Sequence, residues 1–577
     1  MSLLTRFRRL LTRGRTTGED DLTTDGRPAR QVGDDVTGGR PAGDLRRVRT
    51  IAAWVTTALA CLLVLFVLVA PSEIGRLTPG AFVRIPVEGL LGVALVLVLP
   101  PRARRVIAAV VGVALGLLAL VEIFDVGFFA VLDRPFDPVL DWTFIESGVV
   151  FLTQSIGRVG AFGAVVAAVL LAAAVLVLMT LSVLRLTRLV VRHRRVAGRT
   201  VAALGVAWVA CAVLGVQIVP DVPVAADAYY NRLLQVRAGL QDKDAFAAEA
   251  AVDAFRDTPS EDLLTALRGK DVIVAFVESY GRVAVEDPVL GPQVGAVLDA
   301  GSRRLRAAGF GSRSAYLTSP TAGGGSWLAH STLLSGLWVD NQQRYRTLLK
   351  SNRLTLNTAF RRAGWRTVSV MPGTAKTWPE GAFFGYDRIY TAQDLGYRGS
   401  SFSFATMPDQ YTLSAFERFE RAAQDRAPVM AEIPLISSHA PWAPIPALIN
   451  WDHVGDGSVF DAPGGAGDPA DIVLRRDVTR VRTDYGRSIE YSLNTLISYV
   501  ETYGDDDLVL VFLGDHQPAP VVAGVGASRD VPITIVARDR AVLDRISGWG
   551  WQDGLNPGPQ APVWRMDTFR DRFLSAF

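Results

Sequence analysis

The 577-residue sequence predicts an α-helical, five-span membrane domain followed by an extracytoplasmic α/β domain. Three observations carry that prediction. Five apolar segments of near-spanning length occupy the chain before residue 220. Arginine clusters mark alternate loops between them. After Lys270, short β-rich runs alternate with helical stretches. The averages conceal this division. Hydrophobic residues make up 49% of the chain and charged residues 20%, with a mean hydropathy of +0.25. That is too apolar for a soluble protein and too charged for one lying wholly in the bilayer.

The apolar segments lie at about 51–70, 81–100, 106–122, 160–184 and 201–219. Each approaches the ~20 residues a helix needs to cross the hydrocarbon core. A signal peptide would supply one short run, not five. The leader before the first segment is rich in arginine, as are Arg102, Arg104 and Arg105 after the second and Arg185 to Arg199 after the fourth. The alternate loops, 71–80 and 123–158, are poor in it. The positive-inside rule then puts the N-terminus in the cytoplasm and everything after about residue 220 outside. Arg84 and Glu88 stand at i,i+4 spacing and either pair near the outer interface or mark a segment that starts later.

These readings divide the chain into a cytoplasmic leader (1–47), five transmembrane helices (48–222), a polar, Ala-rich helical linker (223–268) and an outer domain (269–577). The leader between residues 14 and 44 has the composition of a disordered segment. Ala226-Asp227-Ala228 has the A-x-A form of a signal-peptidase site, so release of the outer domain is one expectation. The excess of 60 Lys+Arg over 57 Asp+Glu gives a net charge of only +3, which offers nothing to nucleic acid. The two cysteines, Cys61 and Cys211, both sit in apolar runs, so neither a disulfide framework nor a Cys-ligated metal is expected.

In the outer domain the candidate strands are 271–279, 366–372, 429–438, 508–515 and 531–537. They are continuous apolar runs, as suits central strands covered on both faces. Ligands in such sheets bind at the carboxyl ends of strands. Here those ends carry Glu278-Ser279, Ser437-Ser438-His439 and Gly514-Asp515-His516. An acid and an imidazole leaving one strand together suit a metal ion, although Gly-Asp is also ordinary turn chemistry. Ser326 follows Gly323-Gly324-Gly325 and opens a helical stretch. A hydroxyl at a helix N-terminus sits in positive potential beside free N–H groups, which fits a nucleophile with a phosphate and equally fits a simple N-cap.

Taken in this order, the residues resemble the alkaline phosphatase/sulfatase superfamily, and more narrowly its lipoteichoic acid synthase branch. The resemblance covers the whole architecture. It implies that Glu278, Asp515 and His516 hold a metal with the nucleophile Ser326, which keeps its spacing to Leu333-Leu334-Ser335-Gly336. In the synthases the nucleophile is usually Thr; Thr321 is a second candidate, but its spacing is wrong. His439 matches the substrate-contacting His, and Trp378 the Trp that holds phosphoglycerol. Glu380 stands where an Arg is expected, and the formylglycine motif of true sulfatases is absent around Ser326. The implied activity is transfer of a phospho-alcohol headgroup from a phospholipid to a cell-envelope polymer or glycan. One divalent metal is implied, Mn²⁺ first, with Mg²⁺ or Zn²⁺ as alternatives. A phosphoethanolamine transferase, a phosphodiesterase and a catalytically decayed scaffold are the competing expectations.

Overall fold

The computed structural model describes residues 42–69, 86–213, 242–374, 378–402, 405–423, 425–460 and 477–577. Residues 1–41 of the leader, Arg84 and the Ala226-Asp227-Ala228 site lie outside them, while residues 42–47, including the last three of the segment expected to be disordered, open the first helix. The chain divides into two compact units, residues 1–56 and 57–577.

The N-terminal half is helical: α1 (Ala42–Val69), α2 (Val87–Val98), α3 (Pro101–Leu132), α4 (Trp142–Arg192) and α5 (Arg194–Val213). Among the described residues three helices are long and apolar enough to cross a membrane: Arg47–Val69, Pro101–Leu132 and Ile156–Arg192. The second and fifth predicted crossings are represented by α2, which has 12 residues, and by α5, which opens on Arg194, Arg195 and Arg199. Large apolar side chains such as Val159, Phe162 and Leu170 point outward, as lipid-facing positions do.

Small residues let α3 and α4 approach. Gly112 and Gly116, four residues apart, face the backbone of α4, where a Cβ on Gly112 would lie 2.6 Å from Thr180 Cα. The third predicted segment stopped at residue 122, but α3 runs on to Leu132. Asp125 in that extension is buried, and its carboxylate accepts the N–H of Phe136 at 2.9 Å.

The C-terminal half is built on one nine-stranded sheet, ordered β4-β3-β5-β1-β6-β7-β2-β8, with β9 also paired to β2. The strands are β1 (Asp271–Val277), β2 (Gly311–Thr318), β3 (Arg366–Met371), β4 (Arg388–Thr391), β5 (Val429–Leu435), β6 (Leu508–Gly514), β7 (Asp530–Ala537), β8 (Gln552–Asp553) and β9 (Val563–Arg565). The first five in sheet order pair in parallel, whereas β7 runs antiparallel to β6 and β2. All five predicted strands are present. Every residue of β1 and β6 is buried, which is what continuous apolar runs in the middle of a doubly covered sheet require.

Alternation along each strand sorts side chains between the two faces. Ile273, Ala275 and Val277 join one core with the helix Val478–Tyr503. Val272, Val274 and Phe276 join the other, beneath the helix Ser326–Ser335. Phe246 and Ala250, from a helix at 242–251, complete that second core. The same parity, carried one residue past each strand, puts Glu278 and Asp515 on the face where Ser326 sits.

Candidate active site

β1 and β6 are neighbours in register, Val277 opposite Gly514, so Glu278 and Asp515 leave the sheet side by side. Gly514 is required there, because a Cβ would collide with the Tyr280 carbonyl. Ser279 adopts a left-handed backbone at φ 58°, which turns its N–H onto Asp515 Oδ1 at 2.8 Å. The His516 N–H reaches the same oxygen at 2.7 Å. Ser279 Oγ donates to Glu278 Oε1 at 3.0 Å, and Ser438 Oγ donates to the Glu278 carbonyl at 2.6 Å. Both acids are thus oriented before any ligand arrives.

The helix Ser326–Ser335 begins directly after Gly325, whose φ of +82° starts the first turn. It delivers the hydroxyl to the acids: Ser326 Oγ donates to Glu278 Oε2 at 3.1 Å and lies 3.3 Å from His516 Nε2. His516 Nε2 is 3.3 Å from Glu278 Oε1 and 3.6 Å from Asp515 Oδ2. The four residues predicted as metal ligands therefore meet at one point. Thr321, the second candidate, instead braces the loop by donating to the Gly324 carbonyl.

The charges explain what the cluster can hold. Burial pushes the Glu278 carboxyl up, but the His516 charge outweighs this and holds it well below the usual carboxylate range. Burial, reinforced by the neighbouring Glu278 charge, pushes Asp515 up to about 6. Burial pulls His516 down, but Asp515 and Glu278 together raise it to about 9. One proton thus sits between two carboxylates. Glu278, Asp515 and His516 offer ligand atoms within 4.8 Å of one another. Exchanging that proton for a dication would leave a neutral imidazole and balance the two negative charges. His516 Nδ1 is already committed to the Gln517 carbonyl at 2.9 Å, which directs Nε2 at the cluster. Two hard oxygens, a hydroxyl and one imidazole fit a divalent metal of the Mn²⁺, Mg²⁺ or Zn²⁺ type.

The other predicted residues stand around this point. His439 follows β5, is half-buried, and its charge acts on Glu278. Trp378 stacks on Phe384, with ring centroids 5.4 Å apart, in the aromatic group that includes Tyr386. Glu380 is exposed.

One wall of the site comes from the helical half and has no signal in the local sequence. The turn between α3 and α4, locked by a bidentate Arg134–Asp141 pair at 2.6 and 2.7 Å, lies against the glycine loop. A Cβ on Gly323 (φ +70°) would collide with the Val131 carbonyl, and one on Gly324 would touch Leu132. Asp133 accepts the Gly526 N–H at 3.0 Å, and Phe144 packs on Trp327 at 5.4 Å. The close approach for which Gly323 is needed is therefore to this turn.

Residues 313–528, which run from β2 through Ser326 to beyond His516, match the sulfatase family. No curated protein matches the chain. Among solved structures it is similar to the lipoteichoic acid synthase LtaP from Listeria monocytogenes, at 15% identity over 53% of this chain and 71% of that one, with a TM-score of 0.35. It is similar to the phosphoglycerol transferase GacH of Streptococcus pyogenes, at 12% identity over 58% and 90% and a TM-score of 0.33. It is also similar to the lipooligosaccharide phosphoethanolamine transferase EptA of Neisseria meningitidis, at 12% identity over 86% and 87% and a TM-score of 0.44. The family match thus falls on the part of the nine-stranded α/β half that carries Ser326, His439, Asp515 and His516.

Proposed function

We propose that the chain is a metal-dependent membrane transferase that moves a phospho-alcohol headgroup, phosphoglycerol first, from a phospholipid to a cell-envelope polymer or glycan through a phospho-Ser326 intermediate. The observation that carries this reading is the meeting of Ser326 Oγ with Glu278 and His516 at 3.1 and 3.3 Å, beside Asp515. A hydroxyl held there, at the start of a helix, is placed as a nucleophile rather than only as a cap.

Glu278, Asp515, His516 and Ser326 would hold the metal, Mn²⁺ first. When bound, such an ion supplies Lewis-acid charge that favours the serine alkoxide and the phosphoryl oxygens. Ser326 Oγ forms the bond to phosphorus as the lipid alcohol leaves. The N-terminal amides of its helix face the phosphoryl oxygens. His439 orients the phosphate or protonates the leaving oxygen. Trp378 belongs to the headgroup side of the site. The arginine pattern supports five crossings, a cytoplasmic N-terminus and an extracytoplasmic catalytic domain, so the helices keep the site beside its lipid donor.

Phosphoethanolamine is the second reading, favoured by Glu380 at the position where the synthases carry an Arg. Incubating the purified full-length protein with labelled phosphatidylglycerol and phosphatidylethanolamine separates the two. Mass analysis should find one headgroup on the Ser326 peptide, and Ser326→Ala should abolish it. Turnover retained by Ser326→Ala sinks the proposal. Product analysis with and without an acceptor distinguishes transfer from hydrolysis.

A further inference from the structure

His330 has no part in the reading above, yet the structure builds a site around it. It stands one helical turn after Ser326 on the same helix. Residues at i and i+4 share a face, with Cβ atoms about 5–6 Å apart. Helical side chains also lean back over the preceding turn, which here holds Ser326. The ring is fixed on two sides. It stacks on Phe276, with centroids 3.8 Å apart and planes 16° apart. Its Nδ1 lies 3.0 Å from Glu432 Oε1. Glu432 is 1% exposed in the middle of β5, and its second oxygen accepts the Tyr386 hydroxyl. Phe276 precedes Glu278 by two residues and shares its face of β1, so the stacked imidazole lies on the face of the sheet from which the cluster emerges.

A carboxylate oxygen accepts, so Nδ1 donates to Glu432, which in a neutral ring leaves the lone pair on Nε2. That Nε2 is buried and has no hydrogen-bond partner. Leaving a buried polar atom unmade costs about 1–3 kcal/mol, so a group from outside the resting contacts should meet it.

Resting on the phosphotransfer reading, we propose that His330, held by Glu432, is the base that takes the proton of Ser326. Oγ now touches Glu278 and His516, but their contacting atoms are metal ligands, and a ligating atom does not hold a proton. In the first half-reaction the Oγ–H proton passes to His330 Nε2, Oγ bonds to phosphorus, and the P–O bond to diacylglycerol breaks. The diacylglycerol oxygen takes a proton from His439. In the second half-reaction the acceptor hydroxyl returns a proton to His439 as its oxygen bonds to phosphorus. The P–Oγ bond breaks and Oγ recovers its proton from His330. Glu432 is a positioning residue that fixes the ring and stabilises its protonated form.

The test uses full-length protein with Mn²⁺ and bis(p-nitrophenyl) phosphate, following nitrophenolate release and mass of the Ser326 peptide in single turnover. His330→Asn keeps a nitrogen for Glu432 but has no basic Nε2. It should slow phosphorylation of Ser326 by about 10²–10⁴-fold while metal content stays at the wild-type level. His330→Gly should be rescued by imidazole and not by 1,2,4-triazole, which has the same size but is weakly basic. Wild-type rates in His330→Asn, equal rescue by both azoles, or rescue by neither overturns the assignment. Absence of labelling in the wild-type chain overturns the phosphotransfer reading and this inference with it.

Discussion

Strand β1 has a buried acid at each end, and the two ends are neutralised differently. At its start, Asp271 is 2% exposed and meets two guanidinium groups, Arg421 at 3.0 Å and Arg426 at 2.6 Å. At its exit, Glu278 and the neighbouring Asp515 are 8% and 1% exposed, and the cation in contact with them is His516. A guanidinium never gives up its charge, so the first end is closed to any other cation. An imidazole can lose its proton, so the second end can exchange it for a metal. The Asp253 side chain follows the first pattern, clamped by Arg570 at 2.9 Å and Arg353 at 3.5 Å. Arg353 also donates to the Ser335 and Gly336 carbonyls, so this clamp holds the far end of the helix that Ser326 opens. Which cation neutralises a buried acid, rather than burial alone, separates scaffold from site.

The contrast can be broken at its exit first. Ser326→Ala should lower headgroup transfer by roughly 10⁴- to 10⁶-fold without moving the thermal midpoint by more than a few degrees. A transfer assay beside a melting curve checks both. Chelation with EDTA should come next in size, taking turnover to background. Added Mn²⁺ should restore it, and an enzyme indifferent to EDTA would place no metal at His516.

The opposite end should fail in stability rather than chemistry. Asp271→Asn removes the buried acid shared by the buried Arg421, which keeps Glu417 and Asp505, and the part-exposed Arg426, and should cost about 3 kcal/mol, while turnover per folded molecule stays within about twofold. Denaturant titration and active-site-normalised rates separate these effects. A pH series sharpens the point. Burial pushes the Asp271 carboxyl up, but Arg426, the Val429 N–H and Arg421 outweigh it and hold it below its ordinary 3.8. A depressed folded value adds stability that is complete above the unfolded value and lost as pH falls through the folded one. Wild-type melting temperature should therefore drop as pH falls below about 4, and Asp271→Asn should flatten that slope. The smallest effect belongs to Ser438→Ala, which removes the 2.6 Å bond to the Glu278 carbonyl. It should cost about 1 kcal/mol and lower metal affinity roughly tenfold.

Much of the exit was legible because strand ends are legible. Apolar runs located β1, β5 and β6, and the residues just past them are the ones the sheet brings together. Ser326 was legible from glycines before a helical stretch. β2 was not: Gly311–Thr318 carries Arg313, two serines and a threonine, and pairing on both sides holds it rather than a continuous apolar run. The His330–Glu432 pair was invisible for a similar reason. The two residues are far apart in sequence, and Glu432 reads as a polar interruption of an apolar strand until the fold sets it beside an imidazole. In the helical half, hydropathy located apolar stretches but not the ends of helices. α3 continues past residue 122 because Asp125 is buried and satisfied by the turn that follows.

That turn has a practical consequence. Val131, Leu132 and Phe144 cover the glycine loop and Trp327 in the intact chain. A recombinant fragment beginning at residue 242 would keep the whole sheet yet expose an indole and a glycine-rich backbone where the turn had been. Its preparation would call for a detergent or a replacement surface over Trp327. Its turnover on small soluble esters would understate what the membrane-inserted enzyme achieves.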